Sequence, residues 1–324
     1  MKAAFFGSVL GIALPLLALF WMTMQPLVWP IATNVPPVSP ERLQAHVRML
    51  SETLHPRSID NLTNLAAAAD YIHAQFAASG AAVSDQWFED GGEKYRNVVA
   101  RFGPSEGSLL VIGAHYDSYE ATPGADDNAS GVAGLIELAQ LLARHPPQQP
   151  VELVAYTLEE PPHFRTPSMG SAHHARSLRA AGRPVSLMLA LEMIGWFSDT
   201  PGSQNYPLPG MDLLYPDQAN FIAIIARFND WAHTRRIKAA MTGAGDLPVR
   251  SMNSLPAITG VDFSDHLSYW NEGYTALMIT DTSFYRNPHY HEAGDTYDKL
   301  DYRQMAQVVQ GVFAVVQSYS DPGR

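Results

Sequence analysis

The sequence contains no cysteine. That absence removes disulfides, thiol nucleophiles and thiolate metal sites together, so any bound metal must be held by histidine, aspartate and glutamate. Cations are scarce as well: 21 Lys and Arg against 32 Asp and Glu leave a net charge of −11 over 324 residues. A nucleic-acid surface needs clustered Lys and Arg, and this balance argues against one. No internal repeat and no low-complexity tract interrupts the chain.

Between Ala3 and Val28 charge is missing altogether. A bilayer core of about 30 Å is crossed by about 20 apolar residues in a helix, so the run is long enough to span. A cleaved signal peptide has a shorter apolar core and ends at a small-x-small site, whereas Phe20-Trp21-Met22-Thr23-Met24 is bulky. The expectation is a membrane anchor over residues 1–32, or a signal segment if that stretch is cleaved. A Pro-rich linker follows at 33–40, and a single folded domain at 41–324. Lys2, the only early cation, favours a cytoplasmic N-terminus. The domain then lies outside the cytoplasm, periplasmic or extracellular, and is secreted if the segment is removed.

Within the domain, apolar runs alternate with amphipathic ones. Val83–Phe88, Tyr95–Phe102, Ser108–His115, Val151–Thr157, Val185–Ile194 and Thr275–Thr280 read as strands. Helical spacing is expected from Pro40 to about Leu54 and over Asn64–Ser79, Gly131–Arg144, Asn220–His233 and Tyr302–Ser318, with loops at Thr200–Pro216 and Gly243–Thr259. This alternation predicts an α/β fold of three layers, a mixed, mainly parallel β-sheet sandwiched by helices. In such sheets ligand sites gather beyond the carboxyl ends of the strands.

The chemistry-bearing residues fall at those ends. His115 and Asp117, two apart at the end of an apolar strand, point to one side, so Asp117 can orient a metal-binding imidazole. Asp126-Asp127 sits in a Gly- and Ala-rich turn before a helix. Helix capping accounts for one of these acids and leaves the other for a cation. Glu159-Glu160 follows a buried strand and offers one metal ligand and one general base. Glu192 stands alone in Leu189-Ala190-Leu191-Glu192-Met193-Ile194, where an unpaired carboxylate carries a heavy desolvation cost. His289-Tyr290-His291 places two histidines in one loop before the last helix.

Taken together, HYDS, PGADDNASGVA, EE, LEMIG and PHYH, in this order over roughly residues 40–318, resemble the co-catalytic zinc peptidase family. That family contains secreted bacterial aminopeptidases, glutamate carboxypeptidase II and glutaminyl cyclase (clan MH). The resemblance implies a zinc exopeptidase fold and a metal set of His115, Asp127, Glu160, Glu192 and His291, with Asp127 bridging. It implies Glu159 as the general base, Asp117 as the acid behind His115, and Tyr290 as a stabiliser of the oxyanion. Two zinc ions per chain are expected, with one as the alternative, because Glu192 stands where well-known members have aspartate. The implied activity is metallo-aminopeptidase hydrolysis of peptides with a free N-terminus. A glutaminyl cyclase-like single-zinc acyltransferase and a non-catalytic binding module are the alternatives. Asp265, His266, His289 and Arg286 are weaker candidates for the substrate pocket.

Overall fold

The computed structural model describes residues 14–319. Eight strands form one sheet: β1 (Ala82–Asp90), β2 (Glu93–Phe102), β3 (Leu109–His115), β4 (Val151–Tyr156), β5 (Val185–Glu192), β6 (Ile222–Arg227), β7 (Val249–Ser254) and β8 (Ala276–Thr280). Their order across the sheet is β1-β2-β4-β3-β5-β8-β6-β7. The central β4-β3-β5-β8 set is parallel, as are β6 and β7, while β1, β2 and the β6–β8 junction pair antiparallel. Every residue of β3, β4 and β8 is buried, as their unbroken apolar runs require of strands covered on both faces.

Helices α1 (Pro40–Arg48), α2 (Leu62–Ala78), α3 (Gly131–Arg144), α4 (Gly170–Ala180), α5 (Trp231–Thr242), α6 (His266–Asn271) and α7 (Tyr302–Ser318) supply the outer layers. Leu110, Ile112, Leu153, Leu189 and Ile224 face α1, α2, α3, α5 and α7; Val111, Val154, Met188 and Met278 face α4 and α6. The mixed, mainly parallel α/β expectation is thereby met.

Two expectations are corrected. The helix expected over Asn220–His233 is strand β6 followed by a short turn, with α5 starting only at Trp231. Phe221-Ile-Ala-Ile-Ile-Ala226 has no polar face, and β6 is paired on both edges, to β8 and β7. A short apolar run of this kind satisfies its backbone better inside a sheet. The expected loop Gly243–Thr259 contains β7, one of the two edge strands.

The amino-terminal segment also differs from a free linker. Residues 14–24 are helical, and no helix among the described residues is long and apolar enough to cross a membrane. Residues 1–13, which begin the expected anchor, lie outside the described residues. From Gln25 onward the chain packs along the domain. Ile31 N donates to Ala239 O at 2.9 Å, Gln310 Nε2 to Pro36 O at 3.2 Å, and Val38 is buried. Ser39 then caps α1, accepting from Arg42 N, with Pro40 in its first turn.

Arg57 connects this framework to the site. It is wholly buried, and its guanidinium donates to the carbonyl oxygens of Tyr116 (2.8 Å), Leu50 (2.7 Å), Pro123 (2.9 Å) and Gly124 (2.9 Å). Burial pulls its pKa down to about 10, while Asp117, Asp295, Asp127 and Glu160 oppose that shift, so it stays cationic at neutral pH. Removing the guanidinium would take a donor from four backbone carbonyls, of which Gly124 O keeps Ala129 N. Arg57→Ala should therefore cost about 3 kcal/mol or more in urea unfolding of the metal-free protein, and a loss below about 1 kcal/mol would contradict the stapling role.

Candidate metal centre

The parallel strands deliver their last residues to one end of the sheet. His115 closes β3, Glu159 and Glu160 follow β4, and Glu192 closes β5. Asp127 comes from the turn Ala125–Ser130 ahead of α3, and His291 from the loop after β8. All five proposed metal ligands meet. His115 Nε2 lies 3.3 Å from Asp127 Oδ1 and 3.4 Å from Glu192 Oε2. His291 Nε2 lies 3.3 Å from Asp127 Oδ2 and 3.2 Å from Glu160 Oε2. Two donor triads, His115–Asp127–Glu192 and Asp127–Glu160–His291, thus share Asp127, one oxygen turned to each histidine.

These spacings suit zinc. Ligand atoms held tetrahedrally at about 2.0–2.1 Å from an ion stand about 3.3 Å apart. Several of these atoms lack other partners: His115 Nε2, His291 Nε2 and Asp127 Oδ2 are buried without a well-formed hydrogen bond, as is Glu160 Oε1 beside them. Buried polar atoms are ordinarily satisfied, so a cluster of orphans pointing at common centres fits an ion.

Electrostatics agree. Burial opposes charge throughout, and it drives Glu159 well above the carboxylate range and Glu160 up to about 8. Asp127 goes the other way, because the close approach of His115 and His291 to its carboxylate outweighs its burial. For His291, burial favours the neutral ring, but Asp127 and Glu160 override it and push the imidazole up to about 10. In the same way Glu192 and Glu159 overcome the burial of His115 and raise it well above its usual value. Without a cation the two histidines carry the positive charge that the carboxylates need. Glu159 belongs to neither triad; its Oε2 is 3.9 Å from His115 Nε2.

The surrounding contacts set these positions. His115 Nδ1 hydrogen-bonds the backbone carbonyl of Asp117 at 3.2 Å, with Oδ1 3.5 Å away, and Asp117 Oδ2 accepts from Glu160 N at 3.1 Å, so this one residue positions a ligand from each triad. Asn128, rather than either aspartate, accepts from Gly131 N at the start of α3; it also accepts from Met193 N and donates to Leu191 O. Asp126 accepts from Gly195 N and Asn287 Nδ2, which ties its turn to the loops after β5 and before His291. Asp295 accepts from the backbone N–H of both Asp126 and Asp127. Ser264 Oγ donates to Glu192 Oε2 at 2.6 Å.

Sequence reasoning missed Tyr119. It stacks on His291 at 4.0 Å and 2°, while Tyr290 stacks on the opposite face at 3.9 Å and 16°. The tyrosine of HYDSY was the available signal, but nothing in its spacing shows a partner 172 residues away. Burial pushes the Tyr290 phenol far up, so it remains a protonated donor beside the centre.

Arg286 is corrected from a substrate contact to a structural one. It is buried and donates to Phe221 O and Gln204 Oε1, inside the frame. His266 packs edge-on against Trp270 with Nε2 on Val261 O, and burial pulls its pKa down to about 4, so it is neutral. His289 does not join the cluster, whereas Asp265 is buried near it, with burial pushing its carboxyl up to about 7.

A cavity of about 210 Å³ opens beside the donors, walled by Phe221, Ile225, Met252, Phe263, Met278 and Phe284. Its floor follows one row across the sheet, Glu192–Thr280–Ala223–Arg250, each residue paired to the next. At about 4.8 Å per strand the row runs about 14 Å from the centre toward the sheet edge. A second cavity, lined by Ser58, Asp60, Tyr119, Glu120 and Glu160, lies against the other flank.

Comparison with known proteins gives a consistent picture. Residues 97–316 match peptidase family M28. An uncharacterised protein of Escherichia coli K12, YfbL, is 53% identical over 300 residues, covering 90% of this chain and 92% of that protein. Leucine aminopeptidase 1 of Coccidioides posadasii is 26% identical over 225 residues, 65% of this chain and 52% of its own, so the chain spans about half the length of that relative. Among solved structures, glutaminyl cyclase of Bacteroides thetaiotaomicron superposes with a TM-score of 0.69 at 18% identity, covering 89% of this chain and all of that one. At that identity the likeness shows a shared fold.

Two outcomes follow from the geometry. Zinc and protons compete for His291, whose metal-free imidazole is raised, so zinc affinity should climb with pH from about 6 to about 9. Near neutral pH, calorimetry in buffers of different ionisation enthalpy should show about one or more protons released per chain. A pH-independent affinity would contradict the raised histidines. Tyr119→Ala should weaken zinc binding roughly tenfold, the lower end expected when a ligand loses its supporting contact, and an unchanged affinity would show the stack to be incidental.

Proposed function

Because the chain belongs to peptidase family M28 and is thereby a zinc-dependent exopeptidase, we propose that it is an aminopeptidase working on peptides with a free N-terminus. The observation behind this reading is the pair of donor triads sharing Asp127, with Glu159 adjacent but uncommitted. His115, Asp127 and Glu192 would hold one zinc ion, and Asp127, Glu160 and His291 a second. Zinc bound there supplies Lewis acidity toward the scissile carbonyl and lowers the pKa of water.

The chain's own groups do the rest. Glu159, adjacent to the triads but in neither, would as a carboxylate take the proton from the attacking water and deliver it to the leaving amine. Tyr290 donates its hydroxyl toward the charge developing on the carbonyl oxygen. Asp117 holds His115 and the Glu160 backbone through both steps. The apolar cavity receives the side chain of the N-terminal residue, and the polar cleft beside Glu160 the remainder of the peptide. We further propose that the uncharged run Ala3–Val28 anchors the chain with the domain outside the cytoplasm.

One observation favours a second reading. Glu192 replaces the shorter acid of well-known members and is engaged by Ser264, which would weaken the first metal and leave a single-zinc, glutaminyl cyclase-like acyltransferase. Turnover of leucyl and phenylalanyl amides and dipeptides, without cyclisation of N-terminal glutamine, is the expected result of a substrate screen. Cyclisation without peptide hydrolysis would establish the second reading instead. Glu159→Gln should lower kcat by roughly 10²–10⁴-fold at unchanged zinc content. A variant that retains activity would remove Glu159 from the role of base.

A further inference from the structure

Large apolar side chains facing solvent are concentrated on one side of this protein. Of the fourteen among the described residues, eight lie between Leu14 and Ile31, three are Leu208, Leu213 and Leu214, and one is Leu255, directly after β7. Trp29 and Leu213 are the most exposed, at 86% and 84%. Only Trp87 and Trp231 lie on other segments.

Hydrogen bonds bring these segments together at the open edge of the sheet. Ser251, in the edge strand β7, donates through Oγ to Met24 O at 2.9 Å, and its own carbonyl accepts from Tyr215 OH at 2.9 Å. The amino-terminal segment and the 208–215 loop therefore meet at one residue. Lys238 on α5 donates to Met24 O and Gln25 O, and Arg235 to Leu27 O. This gives the end of helix 14–24 a seat of fixed geometry. Lys238 is buried in that seat with its ammonium also on Ser251 Oγ, and Arg235 lies over the Trp21 ring, so both side chains hold the segment against the domain.

An apolar crest that continues the uncharged run from Ala3 to Val28 suits the interfacial zone of a bilayer. We propose that this face is a lipid-docking surface, with Leu27, Trp29, Leu213 and Leu214 bedded in the interfacial zone. The inference goes beyond anchoring by an N-terminal span, because it fixes which side of the domain meets the membrane. It rests on that anchoring only in placing the chain at a bilayer. Met211, Tyr215 and Arg250 also line the apolar cavity, so the cavity rim faces the lipid and substrates are taken at the membrane surface.

The lack of cysteine makes the test direct, since one introduced thiol is the only labelling site. Full-length Leu213→Cys and, as a control, Trp87→Cys are labelled with a polarity-sensitive fluorophore and reconstituted with phosphatidylglycerol–phosphatidylcholine vesicles. The expected result is co-flotation of both, with the Leu213→Cys label quenched by brominated lipid and several-fold better shielded from aqueous iodide than the Trp87→Cys label. Co-flotation with equal iodide access at both positions would overturn the docking surface while leaving the anchor intact. Failure to float would overturn both. Shielding that grows with protein concentration in the absence of vesicles would assign the face to a second copy of the chain instead.

Discussion

Carboxylates buried within a few ångströms of one another form the constraint on which this structure depends. Asp117, Asp127, Glu159, Glu160 and Glu192 are each no more than 6% exposed, and all converge on two histidines. Water cannot screen that repulsion, so the fold supplies compensation at short range. Protonated His115 and His291 provide it in the metal-free protein, and the Arg57 cation adds to it from behind. Divalent ions would satisfy the same need more fully and would leave both imidazoles neutral. Stability and chemistry thus draw on one arrangement: the charge that is costly to bury is the charge that gathers metal.

The scaffold around the cluster serves its spacing. Strands β3, β4 and β5 end within one region because they are parallel neighbours; β3 and β5 end in His115 and Glu192, and Glu159 and Glu160 follow shortly after β4. The loops between them are cross-tied by side chains rather than by packing. Asp126, Asn128 and Asp295 bind the backbone of neighbouring loops, and Asp117 bonds one triad while facing the other. Such ties hold donor atoms to within the fractions of an ångström that a small ion requires.

Much of this was legible in the sequence because buried strands and buried acids leave strong local signals. The continuous apolar run ending in His115 marked β3, and the isolated Glu192 in an apolar strand marked a metal-directed carboxylate. The motif order then tied His291 to residues far away in the chain. What stayed hidden depended on tertiary partners. β6 looked helical because an apolar run has no period that tells a strand from a buried helix. β7 alternates weakly at the sheet edge and was read as loop. Tyr119, Arg57 and Asp295 gain their significance from contacts that no spacing encodes. Arg286 showed the opposite error, an arginine in a promising loop that turns inward to hold backbone carbonyls.

Asp127 is the hinge of the account, since its two oxygens face different triads. The most direct measurement is anomalous diffraction at the zinc edge from crystals grown with saturating zinc. Two peaks are predicted, one bounded by His115 and Glu192, the other by Glu160 and His291, with Asp127 between them. A single peak beside Glu160 and His291, with His115 and Glu192 making no metal contact, would contradict the shared-carboxylate centre.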